Sequence, residues 1–217
     1  MAQLWIIRHG ETQWNRENRF QGILDVPLSE TGRAQARRLA AYLADKHFDA
    51  VYSSPLSRAL DTARIVAAEH GLEVETVTDL QEIDVGEWAG KTWADIRRMW
   101  PQLEKTWRAN PLASDPPPGG EHYAEFRRRC LAALEAIAAR HGEEQRVAVI
   151  SHGGVIRAVL TALLEIPWQT RGRLYSLNCS ITKLRWQPGG PVIIDAINEA
   201  CHLEQATLDR WRDESSK

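Results

Sequence analysis

Two histidines, two arginines and a glutamate follow short apolar runs in this chain, and side chains of those types can together handle a phosphate ester. Arg8-His9-Gly10 closes the run Leu4–Arg8. Ser53-Ser54-Pro55 leads from the run Phe48–Ser53 to Arg58, and Ser151-His152-Gly153-Gly154 follows Arg146–Ile150. Glu82 comes shortly after Val74–Val77. Guanidinium groups offer paired donors that match phosphate oxygens. Arg58 falls in the first turn of an expected helix, where backbone N–H groups also favour an anion. A neutral imidazole in such a pocket can attack phosphorus, provided one ring nitrogen is bare and the other is held by a hydrogen bond. His9 takes that role here. Gly10 beside it permits close backbone approach. His152 would stabilise the transferring phosphoryl group. Glu82 would protonate the leaving alkoxide and then activate the incoming water.

Each residue has a plainer explanation on its own. A histidine at a strand end often caps a loop, a lone arginine forms a surface ion pair, and most glutamates are solvated. Ser151-His152 suggests a serine hydrolase, yet the local Ile150-Ser151-His152-Gly153-Gly154 is not the G-x-S-x-G elbow. No H-E-x-x-H or paired-cysteine spacing is present, so no metal site and no cofactor is expected. No strand is followed by G-x-G-x-x-G.

The elements that must position these groups follow from the apolar pattern. Thr31–Ala44 reads as an amphipathic helix with Ala36, Leu39, Ala40 and Leu43 on one face. Ser54 reads as the N-cap of the next helix, with Pro55 at its first position and Gly71 at its end. Glu121–Arg140 and Val155–Leu164 read as further helices. Ser176–Trp186 and Val192–Ala196 read as strands joined in a hairpin across Pro188-Gly189-Gly190-Pro191. Residues beyond about 203 read as a polar tail, frayed or helical. Strands alternating with helices predict an α/β three-layer sandwich, with a mostly parallel central sheet and helices on both faces. Ligands in such sheets bind beyond the carboxyl ends of the strands, where the reactive groups fall.

The stretch from about 88 to 120 breaks the alternation and reads as a small inserted lid on one domain spanning 1–217. It holds Trp88, Trp93, Trp100 and Trp107, four of the nine tryptophans in the chain. They serve either as a satellite core or as a substrate-facing wall.

Composition bounds the partners. Among 217 residues, 43 % are hydrophobic, enough for a core without disulfides. A net charge of −2 provides no general attraction for nucleic acid, so an anionic ligand must be caught by local arginines. No apolar run approaches the ~20 residues of a membrane span. Three scattered cysteines and an N-terminus without a secretory pattern predict a reducing, cytoplasmic setting. The expected partner is a small-molecule phosphomonoester, with neither nucleic acid nor membrane; a homodimer is left open.

Read as motifs, the same segments resemble the histidine phosphatase superfamily, in its phosphoglycerate-mutase-like branch. Arg8-His9-Gly10-Glu11-Thr12 with Trp14-Asn15 is similar to that family's N-terminal signature. Phe20-Gln21-Gly22, Ser53–Ala59, Leu80–Gly90 and Ser151–Gly154 are similar to its later motifs, in order. The resemblance implies His9 as the phosphorylated nucleophile and Glu82 as general acid and base. It implies Arg8, Asn15, Arg58 and His152 around the phosphate, and Gln21 and Gly22 at the entrance. Glu82-Ile83-Asp84-Val85-Gly86-Glu87-Trp88 is more like the broad-specificity and alpha-ribazole phosphatases than the E-R-H-Y-G segment of the glycolytic mutases. A phosphatase is therefore favoured. A phosphoglycerate mutase and a non-catalytic phospho-ligand binding protein are the alternatives.

Overall fold

The computed structural model describes residues 1–167 and 174–204. Its centre is one six-stranded sheet. The strands are β1 (Ala2–Arg8), β2 (Ala50–Ser53), β3 (Val74–Thr76), β4 (Arg146–Ser151), β5 (Ile181–Trp186) and β6 (Val192–Glu199). Their order across the sheet is β3-β2-β4-β1-β5-β6. The first four in that order run parallel, whereas β5 is antiparallel to β1 and β6 is antiparallel to β5. The sheet is mostly parallel, as the alternation of strands and helices predicts.

Two apolar faces explain the three layers. Along β1 the side chains alternate: Leu4 and Ile6 enter one core, Trp5 and Ile7 the other. The first core is closed by α6 (Tyr123–Ala139) and α7 (Gly153–Leu163), through residues such as Leu134, Ile137, Val155 and Val159. The second is closed by α2 (Glu30–Leu43) and α3 (Ser57–Ala68), through Leu39, Leu43, Ala63 and Val66. The short α1 (Gln13–Arg16) follows β1.

The stretch from 88 to 120 contains two helices, α4 (Trp93–Met99) and α5 (Pro101–Ala109). Pro101 lacks the N–H that an unbroken helix would use, and it opens α5 at its first position. Ile96 and Trp107 pack into the same core as Leu134 and Val159, so this stretch is seated on the sheet's own packing.

Several boundaries differ from expectation for identifiable reasons. α3 starts at Ser57, with Leu56 at its N-cap, not at Pro55. Ser54 bonds a distant histidine instead of capping the helix. β5 begins at Ile181 rather than at Ser176, because residues 178–179 form a turn with Cys179 in the left-handed region at φ 60°. Most of the expected C-terminal tail, 205–217, lies outside the described residues.

Candidate active site

The carboxyl ends of β1, β2 and β4 meet at one edge of the sheet, and a cavity of about 380 Å³ opens there. Arg8, His9, Asn15, Gln21, Gly22, Arg58 and Glu82 all line it. These are seven of the eight residues expected from the sequence. The eighth, His152, is fully enclosed and packs behind the wall, its ring 5.2 Å from that of His9 and at 61° to it.

His9 is pinned by its backbone and its ring. Its N–H donates to Ser151 O at 2.9 Å, extending the β1–β4 ladder. Its Nδ1 lies 2.6 Å from Gly10 O. A carbonyl only accepts, so Nδ1 carries the proton and Nε2 keeps its lone pair. Gly10 has no room for a side chain: a Cβ there would stand 2.5 Å from Gly32 O.

Two arginines flank this ring. Arg58 is 1 % exposed and donates to Gly22 O and Leu24 O, both at 2.7 Å. Burial lowers its pKa to about 10, while Glu82 and Asp25 pull it upward. Gly22 adopts φ 53°, a conformation that glycine takes at no steric cost, and its carbonyl faces Arg58. Arg8 donates to Ser176 O. The Nε atoms of both arginines are buried without an acceptor among the described residues.

Asn15 and Gln21 are oriented by their oxygens. Asn15 Oδ1 accepts from Thr12 N at 3.1 Å, in the capping box of α1, and from Asn178 Nδ2 at 3.3 Å. Gln21 Oε1 accepts from the Thr12 hydroxyl at 3.0 Å. Each amide thereby keeps its NH₂ donors for the cavity. Asn178 was not singled out from the sequence, yet it also donates to His9 O at 2.9 Å. The turn that carries it reads as strand in the sequence, because cysteine at 179 does not signal a left-handed residue.

Glu82 sits at the start of α7. Its Oε2 accepts from Gly154 N at 2.9 Å and its Oε1 from Ile83 N at 3.0 Å. Its segment is clamped by Arg129, which donates to Asp79 O, Gln81 O and Glu82 O while bonding Glu121. Glu121 thus supports the segment that carries Glu82 and does not line the cavity. A Cβ on Gly154 would come within 2.0 Å of Glu82 Oε1, so Gly154→Ala must push the carboxylate aside. The expected result is a fall of about 100-fold in kcat with the fold intact. Circular dichroism alongside steady-state rates would check it, and wild-type kcat would contradict it.

Both site imidazoles are held well below their ordinary value of 6.5. For His9 the largest cause is burial, then the charges of Arg58 and Arg8, opposed by the Gly10 carbonyl. For His152 it is again burial, then Arg58, His9, Arg8 and Arg129. His70 and His202 are lowered too, chiefly by burial. In the unfolded chain these rings take up protons near 6.5, whereas the folded chain resists until lower pH. Stability is therefore complete above 6.5 and is lost as pH falls toward the folded values. Each fully buried ring removes up to about 1.4 kcal/mol per pH unit over that window. Urea unfolding from about pH 7.5 to 5.5 should show the loss, and a His9→Asn, His152→Asn double variant should flatten it. A parallel decline in both proteins would refute this assignment.

The aromatic residues form a continuous wall. Trp88 is fully buried and meets Trp107 at 5.5 Å and Trp93 at 6.0 Å between ring centroids. Phe20 packs on Trp93 at 4.8 Å, and Trp107 on Tyr123 at 6.1 Å. Trp88 and Trp107 are core residues that also line the cavity, whereas Trp93, exposed on its outer side, is wall alone. Among the described residues no three His, Cys, Asp or Glu side chains are grouped to hold a metal ion, and no helix is long and apolar enough to cross a membrane.

Residues 4–199 match the family model of the histidine phosphatase superfamily, branch 1. The chain is 37 % identical to phosphoglycerate mutase-like protein 4 of Arabidopsis thaliana, over 94 % of this chain and 88 % of that protein. It is 35 % identical to phosphoserine phosphatase 1 of Hydrogenobacter thermophilus, over 94 % and 95 % respectively. Among solved structures it is similar to YhfR of Bacillus stearothermophilus, with a TM-score of 0.85 and 34 % identity over 94 % of this chain and all of that one.

Proposed function

This chain belongs to branch 1 of the histidine phosphatase superfamily, and we propose that it hydrolyses small-molecule phosphomonoesters through a phosphohistidine on His9. The observation that carries the reading is the orientation of His9, with its Nδ1 proton fixed on Gly10 O and its Nε2 uncommitted between two arginines. Burial and the neighbouring guanidinium charges keep the ring neutral at ordinary pH, so the lone pair is available.

In the first step Nε2 forms a bond to phosphorus as the bond from phosphorus to the ester oxygen breaks. Arg8, Arg58 and the NH₂ of Asn15 balance the charge spread over the phosphoryl oxygens. His152, enclosed behind the wall and edge-on to His9, backs the nucleophile's ring rather than reaching the phosphoryl group. The Glu82 carboxyl passes its proton to the leaving alkoxide. In the second step Glu82 takes a proton from water as the water oxygen attacks phosphorus, and the N–P bond breaks to release phosphate and neutral His9. Gln21 and Gly22 border the approach. The free thiols at Cys130, Cys179 and Cys201 suit the reducing, cytoplasmic setting included in this proposal.

Incubation with a labelled phosphomonoester, quenched rapidly without acid, should leave acid-labile label on the peptide containing His9. Label elsewhere, or turnover with none trapped under single-turnover conditions, would overturn the reading.

A second reading, phosphoryl transfer between hydroxyls, is favoured by the similarity to a phosphoglycerate mutase-like protein. A mutase must keep water from its phosphohistidine. With 3-phosphoglycerate, with and without a bisphosphate primer, free phosphate should dominate over 2-phosphoglycerate. A primer-dependent isomerisation far above phosphate release would select the mutase.

A further inference from the structure

The Glu82 carboxyl hangs from a stretch of backbone that no ladder fixes. Residues 81–85 belong to no helix or strand. Four successive carbonyls, those of 79 to 82, accept from side chains instead. Ser151 Oγ donates to Leu80 O at 2.7 Å. Arg129 on α6 serves the other three: its Nη1 donates to Asp79 O at 2.7 Å and to Gln81 O at 2.9 Å, and its Nη2 to Glu82 O at 3.1 Å.

The same guanidinium grips Glu121 with its remaining N–H groups, Nε to Oε1 at 2.7 Å and Nη2 to Oε2 at 2.9 Å. A guanidinium has five N–H donors, and here five acceptors meet them. Glu121 is fixed in turn, since its own N–H donates to Asp84 O at 2.8 Å. The pair thus ties α6, the end of the 88–120 stretch and the segment 79–84 at one point. The two side chains are only 18 % and 20 % exposed. An ion pair so withdrawn from water is costly to desolvate, and apolar residues of similar volume often stabilise a fold as well or better. What apolar residues cannot do is hold three carbonyls. Neither Arg129 nor Glu121 lines the cavity, so any effect on the reaction passes through Glu82.

We propose that Arg129 is a positioning residue for proton transfer: anchored on Glu121, it holds the backbone of 79–82 so that the Glu82 carboxyl meets the leaving oxygen. The bonds of the carboxyl to Ile83 N and Gly154 N set how it turns. The carbonyls held by Arg129 set where it starts. A displacement of about 1 Å in such a group costs on the order of 100-fold in rate. The proposal rests on the hydrolase reading above, with Glu82 as acid and base.

Arg129→Gln should lower kcat for ethyl phosphate by about 100-fold and for nitrophenyl phosphate by about 3-fold or less, with each KM within about 3-fold. Arg129→Lys should fall between, because an ammonium has three donors and no planar fork. Glu121→Gln keeps the guanidinium and loosens its anchor, so it should show the same contrast at about tenfold on ethyl phosphate. These two variants carry the comparison if circular dichroism shows that Arg129→Gln does not fold. The double variant Arg129→Gln, Glu82→Gln separates positioning from structure. Once the side chain has no proton to give, losing its placement should cost about 3-fold or less beyond Glu82→Gln alone. A structural role would lower both esters equally and would repeat its full loss in the double variant; either result overturns the proposal, as does an unchanged kcat for ethyl phosphate. If Glu82→Gln shows the leaving-group contrast and the Arg129 variants do not, the Arg129 proposal alone fails. If Glu82→Gln shows no contrast, or no label forms on His9, the hydrolase reading fails at its acid or its nucleophile and takes this one with it.

Discussion

His9→Ala should lower kcat by about 10⁴-fold or more and abolish trapped phosphohistidine, because no neighbouring group can replace the nucleophile. His152 is the nearest candidate, but it is fully enclosed and its Nε2 is bonded to Ser54 Oγ at 2.8 Å. The water that attacks in the second step has no comparable activation in the first, since the Glu82 side chain is placed to give a proton to the leaving group. The phosphate pocket itself should survive. Arg58 is anchored on Gly22 O and Leu24 O, and Arg8 on Ser176 O, none of which depends on the imidazole. Binding of inorganic phosphate, read by calorimetry, should therefore stay within a few-fold of wild type while turnover disappears. Hydrolysis retained within about tenfold would mean that the phosphoryl group passes directly to water, and the covalent mechanism would be abandoned.

Glu82→Gln should lower kcat/KM for alkyl phosphates by about 10³-fold and for nitrophenyl phosphate by about tenfold or less. Glutamine keeps the volume, and its carbonyl can still accept from Gly154 N–H, so the start of α7 should hold. What it lacks is a proton to give. An alkoxide needs that proton as the P–O bond breaks, whereas a nitrophenolate departs without it. A series of phosphate esters graded by leaving-group acidity would show the contrast as a steeper dependence of rate on that acidity. Equal losses across the series would assign Glu82 to ground-state binding instead.

Much of this site is legible in the chain because strand ends are legible. Runs such as Leu4–Arg8 and Arg146–Ile150 are short, apolar and followed by histidine and glycine, and a parallel sheet brings such ends to one edge. Local pattern stops being informative where a residue serves a distant partner. Ser54 has the type of an N-cap, yet its hydroxyl is bonded to His152, ninety-eight positions along the chain. Arg157 has the type of any polar residue on an amphipathic helix, yet it lines the cavity four positions after Gly153. Asn178 lies in a segment whose composition favours a strand, and tertiary bonds from Cys179 N to Arg8 O and from Asn178 to His9 O bend it into a turn. Tryptophan at 88 supports both core and wall, and the fold uses it for both.

The placement of β1 has a consequence for how the protein is made. The strand that leads into His9 is the first of the six to be made, but its two neighbours in the sheet are β4 and β5, which begin at Arg146 and Ile181. At about 5–20 residues per second, the ribosome leaves that strand without a sheet partner for roughly 7 to 30 seconds. Pairings so remote in sequence also carry a loop-closure cost that slows folding. A nascent chain therefore carries its nucleophile long before it has the strands that complete the pocket. During that interval Leu4–Ile7, apolar and β-prone, stands exposed and is a segment for a chaperone to cover.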